Sequence, residues 1–525
     1  MGIFSKFRLF NRELGMAVCL IAVSTFNYGL DVQGYAATQA MDPFAKQFGH
    51  WHEETQKYRL EPYWLSLFNS LNYIGFAVGV SLGSLVMARW GRRWCMFIMS
   101  IYAICTATIG VTSFHSEQIM AARILSYVYV GMELTVVPTF QSEIVPAPAR
   151  GLVVGSYHLS LMFGAFTINS VCFGTYDIPD NRAWRIPLGL FYIVPTIIAC
   201  LIFFIPESPR WLLRKGREEE ALRDLTRLRR GVRTEEQILE EFNELKAALQ
   251  VEPEAEKARF VELFKGVNRK RTLIVMTVNF FMQASGQAFA SQYGAVYVKM
   301  LGTFNPFGFS MITGAINICT LICVLLWADH FGRRQLLFLS SAVAGSAMIA
   351  MGALGIQEPV SVARRNGIVG TICIFVSGYS MGWAPMTYIL TTELSALRLR
   401  DLTSRVGFTT NVCTNFAVNF MIPYLIYDDY AGLGSKVGFI FGGCMVVAFI
   451  FTFFCVPECK GKTLEEVDQL FRLKVPIRQF GSFDMSRLEP IDGTLPPDKG
   501  AVRLNEIEVD ARQRTDTDEE KGAAK

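Results

Sequence analysis

The chain is short of charged residues. Asp, Glu, Lys and Arg make up 18% of its 525 residues, against about 25% in an average soluble protein. The charges are also concentrated, because residues 207–271 and 457–525 together carry 57 of the 96. The remaining segments are long and apolar. This excludes a soluble multidomain protein and predicts one that crosses a membrane many times.

Three other signals are missing, and each absence excludes a class of protein. A net charge of +4 with both signs mixed leaves no basic stripe for nucleic acid. The twelve cysteines show no paired spacing, so we expect neither a disulfide framework nor a metal site. No nucleophile elbow, phosphate loop or zinc-binding helix pattern is present, so we expect no enzyme and no cofactor.

Twelve apolar segments are long enough to cross a bilayer, for which about 20 residues are needed. They form two groups of six, separated by the charged stretch 207–271. Lysine and arginine follow alternate spans, which by the positive-inside rule places those loops and both termini in the cytosol. The expected spans lie near 17–38, 62–86, 95–114, 120–140, 152–173, 187–205, 273–297, 308–328, 335–355, 367–391, 404–427 and 437–456.

The same pattern divides the chain into five parts. Leucines recur at helical spacing between the two groups of spans, which predicts short amphipathic helices there. The tail after about 475 is rich in Pro, Asp, Thr and Glu, so we expect it to be largely disordered. The parts are a cytosolic N-terminus (1–16), a six-helix half (17–205), a cytosolic helical linker (206–271), a second six-helix half (272–456) and a cytosolic tail (457–525).

The two halves repeat one another. The sequence WGRR at 90–93 recurs 241 residues later as FGRR at 331–334. Pro-Glu at 206–207 likewise recurs at 457–458. Internal duplication of six-span halves is typical of secondary transporters, which hold their substrate near the middle of the membrane between the halves.

Repeated charged residues lie at the cytosolic ends of the predicted spans. Carboxylates and guanidiniums at neighbouring helix ends can pair, and pairs that cross between the halves would hold the cytosolic side shut until it opens. The alternative is that the arginines only set the topology and have solvated partners. The residues of this candidate gate are Arg92, Arg93, Glu143, Arg150, Glu207, Asp329, Arg333, Arg334, Glu393, Arg400 and Glu458.

Two charged residues stand out inside the spans. Asp31 lies in the first span and Arg123 in the fourth. A charge at the centre of a bilayer costs at least ~2.5–3.5 kcal/mol, so each of these residues needs a partner and is a functional candidate. We expect them to pair with each other.

Longer motifs resemble the sugar porter family of the major facilitator superfamily over about 17–470. The most specific are PESPRWL (206–212), PECKGKTLEE (457–466) and Arg123 followed by PTFQSEIVPAPARG (138–151). The first span is similar to the fungal branch of the family. The resemblance implies an all-α fold of twelve transmembrane helices in two halves. It also implies a monomer in the plasma membrane that imports a sugar by alternating access.

The resemblance also suggests how transport is driven. In proton-coupled members, the residue matching Asp31 is protonated and the residue matching Arg123 modulates it. A sugar–proton symporter is therefore expected. Two alternatives stay open: a facilitative uniporter in which the pair is only structural, and a sugar sensor that binds without much transport.

A sugar site is expected in the second half. A polyhydroxylated ligand needs side chains that both donate and accept hydrogen bonds, beside an aromatic face. Amide side chains on three spans supply the hydrogen bonds, and four of them match family positions. A histidine stands at a family glutamine position, and a tyrosine stands where many hexose porters have tryptophan. The predicted site comprises His158, Gln283, Gln287, Asn317, Tyr388, Asn411 and Asn415.

Several positions depart from the family pattern. Met282 and Ala288 replace two amides of the seventh span, so the resemblance does not fix which sugar is bound. Ala88 stands where the family has an acidic residue, which the second half retains as Asp329. We therefore expect the first-half part of the gate to be weaker than usual, or to be completed by another carboxylate.

Overall fold

The computed structural model describes residues 10–53, 56–251, 260–357, 359–462, 464–481 and 483. Twelve helical spans follow the predicted order, because a backbone inside a bilayer has no water to bond and must satisfy its own polar groups. The spans are Arg12–Thr38 (span 1), Pro62–Ser70 with Asn72–Trp90 (span 2), Arg92–Val111 (span 3), Ser116–Ile144 (span 4), Ala147–Thr175 (span 5), Arg182–Gly189 with Ile193–Leu201 (span 6), Gly266–Ala284 with Gln287–Gln292 and Gly294–Leu301 (span 7), Pro306–Phe331 (span 8), Arg333–Leu354 (span 9), Val362–Met381 with Trp383–Glu393 (span 10), Arg400–Ile426 (span 11) and Val437–Cys455 (span 12).

Length and hydropathy support ten of these spans as membrane crossings within the described part of the chain. The two others, spans 5 and 11, are helices of 29 and 27 residues at the remaining predicted positions. Span 11 is rich in threonine and asparagine, so it combines the length of a crossing with a polar face. Six spans, a helical linker and six more spans are the architecture that the sequence predicts.

The two ends of the bundle carry different small elements. At one end lie the linker helices Pro209–Arg214, Glu218–Arg229 and Glu235–Val251. Asn11, which caps span 1, donates to the carbonyl of Arg227 in the linker at 2.9 Å, so span 1 begins at this end, here called the insert end. The opposite, hairpin end carries the helix Asp42–Phe48 and an antiparallel pair of strands, His50–His52 and Lys57–Arg59.

The start of the tail packs onto the second half at the insert end. Its helix Leu464–Arg472 carries Asp468, whose Oδ1 lies 2.6 Å from Arg271 Nη1 in span 7, and both side chains are buried. Phe480 is also fully buried. Ordered packing therefore extends a few residues beyond the boundary of about 475 expected from composition. Residue 482 and residues 484–525 lie outside the described part, so the expectation for the rest of the tail stays a prediction.

Candidate functional site

An aspartate and an arginine meet inside the first half. Asp31 in span 1 and Arg123 in span 4 have side chains that are only 6% and 2% exposed. Arg123 Nη1 lies 3.6 Å from Asp31 Oδ1, a distance at which the charges attract but no hydrogen bond forms. The structure thus brings the two buried charges together as the sequence predicts, in a loose pair.

Further contacts hold the arginine in place. Arg123 Nε donates to the backbone carbonyl of Phe68 at 3.2 Å. The guanidinium also lies over the rings of Tyr35 and Tyr127, at 4.5 and 5.1 Å from their centroids, positions that favour a cation. Among the described residues, neither Nη1 nor Nη2 has a hydrogen-bond acceptor. Arg123 can therefore change its distance to Asp31 without losing these other contacts.

A break in span 7 places polar side chains at the middle of the second half. The helix ends at Ala284 and resumes at Gln287, and Gly286 between them has φ +93°. A Cβ added there would lie 2.7 Å from Phe441 Cγ, so only glycine fits both the left-handed backbone and the space. Interrupted helices near the midplane are where secondary transporters build their binding sites.

Amide side chains around this break form one hydrogen-bonded network. Gln283 Nε2 donates to Asn411 Oδ1 at 3.0 Å, joining span 7 to span 11. Asn411 Nδ2 lies 3.5 Å from Asn279 Oδ1 and 3.3 Å from Met282 Sδ. Asn279 in turn donates to Thr391 Oγ1 in span 10 at 2.9 Å. Gln283 Oε1 has no partner among the described residues, so the network retains an acceptor for a ligand.

The other predicted sugar-site residues are more dispersed. Ser380 donates to the Asn317 side chain, and Asn419 Nδ2 donates to Asn415 Oδ1 at 2.5 Å. Asn317 and Asn415 therefore form separate pairs outside the Gln283–Asn411 network. Gln287 lies just after the break in span 7, and His158 lies in span 5. Both side chains are half-buried.

Tyr388 supplies an aromatic face between the halves. Its side chain is 43% exposed, and its ring lies 5.9 Å from that of Phe408 in span 11. Tyr28 and Tyr157 of the first half lie near it. The exposed part of Tyr388 therefore faces the space between the halves, which is where a bound ligand would lie.

At the insert end of the first half, one carboxylate caps a helix and another pairs with an arginine. Glu207 accepts the backbone N–H groups of Arg92 and Arg93, at 3.1 Å each, at the start of span 3. Burial raises the pKa of Glu207 above its ordinary value, and backbone amides and Arg93 counteract that rise. Arg92 Nη2 lies 2.7 Å from Glu143 Oε1, with the two side chains 4% and 7% exposed. This burial argues against a solvated, purely topological role for Arg92.

The second half reproduces this arrangement atom for atom. Glu458 accepts the backbone N–H groups of Arg333 and Arg334, at 3.0 and 3.1 Å, at the start of span 9. Arg333 Nη2 lies 3.2 Å from Glu393 Oε1. The repeat read from the sequence is therefore a repeat of structure. Arg400 begins span 11, while the side chains at positions 150 and 329 lie outside the described part.

Both ion pairs join spans of the same half. Arg92 and Glu143 belong to spans 3 and 4, and Arg333 and Glu393 belong to spans 9 and 10. The expected contacts between the halves would require these groups to meet across the interface, and in these two pairs they do not. A gate that closes by pairing between the halves stays a prediction for another conformation.

At the hairpin end, by contrast, ion pairs do cross between the halves. Arg59 Nη2 lies 3.3 Å from Asp429 Oδ2, and Lys299 Nζ lies 2.7 Å from Asp42 Oδ1. Ser66 of span 2 also donates to the carbonyl of Phe420 in span 11 at 2.9 Å. The conformation is therefore one in which the hairpin end is closed.

Replacing either capping carboxylate should weaken its half. In Glu207→Gln, the amide keeps one acceptor oxygen, but its NH2 group faces the second backbone N–H that Glu207 accepts and leaves that N–H unpaired, so we expect the protein to lose about 1–3 kcal/mol of stability. Glu458→Gln should have a similar effect because its contacts are equivalent. The thermal midpoint of the purified protein in detergent measures both. A midpoint equal to that of the exposed-site control Glu220→Gln would contradict this prediction.

Sequence reasoning missed two buried polar residues. Asn279 belongs to the amide network, and Glu133 is fully buried in span 4. Both lie inside predicted spans, so the cost of burying polar groups was a signal that could have found them.

Comparison with known proteins shows what the chain resembles. It matches the family model described as "Sugar (and other) transporter" over residues 17–471. It is 27% identical to the hexose transporter HXT10 of Saccharomyces cerevisiae, over 90% of this chain and 88% of that protein. It is 28% identical to the high glucose sensor RGT2 of the same yeast, over 86% of this chain and 60% of that protein. An inward-open structure of the xylose transporter XylE from E. coli superposes with a TM-score of 0.71 at 21% identity, over 87% of this chain and 99% of that one.

These findings confirm the predicted fold class of twelve transmembrane helices in two six-helix halves. They also confirm the resemblance stated from the motifs, since the family match extends over nearly the same residues. The relatives are membrane transporters and a sensor, so the expectation that the chain is not an enzyme is confirmed as well.

Proposed function

The chain belongs to the sugar porter family of the major facilitator superfamily, and from this premise we propose that it imports a sugar across the plasma membrane together with a proton. The hexose transporters among its relatives support the substrate class. In this proposal the insert end faces the cytosol, because the lysine and arginine residues concentrate there. The closed hairpin end would then be the extracellular side.

The buried pair of Asp31 and Arg123 is the observation that carries the coupling. Protonation of Asp31 removes the charge that attracts Arg123. The 3.6 Å contact between the two side chains is too long for a hydrogen bond, so no hydrogen bond has to be broken when they separate. Arg123 then remains on the Phe68 carbonyl and the tyrosine rings. Because the energy of the pair depends on one proton, the balance between two arrangements of spans 1 and 4 depends on that proton too.

The sugar would bind between the Asp31–Arg123 pair of the first half and the amide network of the second half. The unpaired Gln283 oxygen and the Asn411 amide offer an acceptor and donors, and Tyr388 offers an aromatic face. His158, Gln287, Asn317 and Asn415 remain proposed contacts, which the closure of the halves around a ligand would have to bring nearer. Closure of the insert end would complete alternating access, with Arg92, Glu143, Arg333 and Glu393 as the proposed gate.

A sugar sensor is the second candidate, favoured by the similarity to the glucose sensor RGT2. A facilitator with the same fold is the third. Uptake of labelled hexoses, pentoses, disaccharides and polyols into transporter-deficient yeast, at two pH values and with a protonophore, separates them. Protonophore-sensitive uptake supports the symporter, and insensitive uptake supports the facilitator. No uptake of any carbohydrate by protein that reaches the surface supports the sensor.

A further inference from the structure

Glu133 is a carboxyl group buried in span 4 that the proposed mechanism does not use. Its side chain is 0% exposed, and among the described residues neither of its oxygens has a hydrogen-bond partner. Tyr157 of span 5 lies beside it, and the Tyr157 hydroxyl is also unpaired. An acidic residue in such surroundings requires a physical explanation, because a purely structural position would be served better by an apolar side chain.

The groups of the described chain that face Glu133 include no cation to stabilise its charged form. The titratable groups that face it are Tyr28 on span 1, Tyr129 on its own span and Tyr157 on span 5. All three are phenols, and none of them carries a positive charge that could pair with the carboxylate. Arg123 lies ten residues away, about 15 Å along the helix axis, and is engaged by Asp31. An unpaired carboxylate in an apolar interior is strongly disfavoured, so Glu133 holds its proton in this conformation.

Polar groups connect Glu133 with Asp31. Tyr129 lies one helical turn before Glu133, and its hydroxyl is 3.5 Å from Ser24 Oγ. Together with Asn27, Asp31 and Ser126, Tyr129 lines a small cavity of about 10 Å³, which is room for about one water molecule. The phenol of Tyr129 thus lies between the carboxyl groups of Asp31 and Glu133.

Polar side chains also continue from Glu133 toward the insert end. Gln141 lies two turns further along span 4, is fully buried, and has no hydrogen-bond partner for its amide among the described residues. Beyond it, at the end of the span, Glu143 pairs with Arg92. Span 4 therefore carries two polar side chains without hydrogen-bond partners among the described residues, Glu133 and Gln141, between the middle of the bundle and its insert end.

We propose that Glu133 is a second proton-binding carboxyl group, through which Asp31 exchanges its proton with the insert side of the bundle. A proton leaves the Asp31 carboxylic acid, passes by way of a water molecule in the adjoining cavity and the Tyr129 hydroxyl, and arrives on Glu133 once Glu133 has released its own proton toward the insert end. One carboxyl group gains the proton that the other loses, and no further reactant is needed. This inference rests on the proposed proton coupling.

Infrared spectroscopy tests whether Glu133 binds a proton, independently of transport. In an Asp31→Asn background, which removes the signal of the other proton-binding carboxyl group, the protein in lipid should show the carbonyl stretch of a buried carboxylic acid in a pH-difference spectrum, and adding Glu133→Gln should remove that band. Glu133→Asp should retain a shifted band. An unchanged band when Glu133→Gln is added, or none in the Asp31→Asn protein, would overturn the proposal. Glu117→Gln, an exposed acid on the same span, is the matched control.

Transport by reconstituted vesicles tests the exchange with Asp31. Glu133→Gln should lower proton-driven accumulation at least about 100-fold, the smaller end of what a positioned proton-transfer group contributes. Sugar counterflow, which needs no net proton movement, should stay near the wild-type rate, and Glu133→Asp should recover part of the accumulation. Full accumulation by Glu133→Gln would overturn the exchange. Accumulation that is absent in the wild type would instead refute the proposed symport, while the infrared band still decides whether Glu133 binds a proton.

Discussion

Asp31→Asn should abolish proton-driven sugar accumulation while leaving sugar exchange largely intact. Asparagine has the shape of a protonated aspartic acid but cannot release a proton, so the energy of the contact with Arg123 no longer depends on the proton gradient. We expect accumulation to fall by about 100-fold or more, because the group that carries the proton is lost outright. Counterflow should change by no more than about threefold.

The measurement uses purified protein in vesicles with an imposed pH gradient. Accumulation against the gradient and counterflow without one are recorded on the same preparation. Asp180→Asn is the matched control, because Asp180 is an exposed acid at the hairpin end. If Asp31→Asn still accumulates sugar to the wild-type level, Asp31 does not carry the coupled proton, and the facilitator becomes the better description.

Some features of the structure could be predicted from the sequence alone. The spans follow from hydropathy alone, because a bilayer demands about 20 apolar residues wherever a helix crosses it. The contact between Asp31 and Arg123 could be predicted for a related reason: a buried charge needs a partner, and the first half offers few. The internal repeat predicted that Glu207 and Glu458 are equivalent, but their contacts with the backbone N–H groups at the starts of spans 3 and 9 were not predicted.

Other features depend on the contacts between the two halves, which the sequence does not specify directly. The ion pairs of Arg59 with Asp429 and of Lys299 with Asp42 exist because the hairpin end is closed, and an alternating-access protein breaks such contacts in its other state. The gate was expected to pair across the interface, while the structure shows pairs within each half.

Hydrogen bonding of the amides was also unpredictable in detail. Asn317 could have joined Gln283 by residue type, but the packing of spans 8 and 10 gives it Ser380 instead.

Asn411→Leu should remove sugar transport in every assay, which distinguishes a binding residue from a coupling residue. Asn411 accepts from Gln283 at 3.0 Å and lies at the junction of spans 7 and 11. Leucine has a similar size but can neither donate nor accept, so it leaves Gln283 Nε2 unpaired as well as Gln283 Oε1. A sugar hydroxyl that meets leucine in place of the Asn411 amide would be desolvated without a hydrogen-bond partner. Each such group costs about 1–3 kcal/mol, so we expect binding to weaken by about 100-fold.

Counterflow and proton-driven accumulation should therefore fall together in Asn411→Leu, whereas only accumulation should fall in Asp31→Asn. Thr409→Val is the control, because Thr409 is exposed on the same span and its hydroxyl bonds only to the helix backbone. Wild-type counterflow in Asn411→Leu would exclude the amide network from the sugar site. Loss of counterflow in both variants would mean that the Asp31–Arg123 pair also shapes the binding site. The two halves would then share the sugar, and coupling would arise from direct contact between the sugar and the proton-carrying pair.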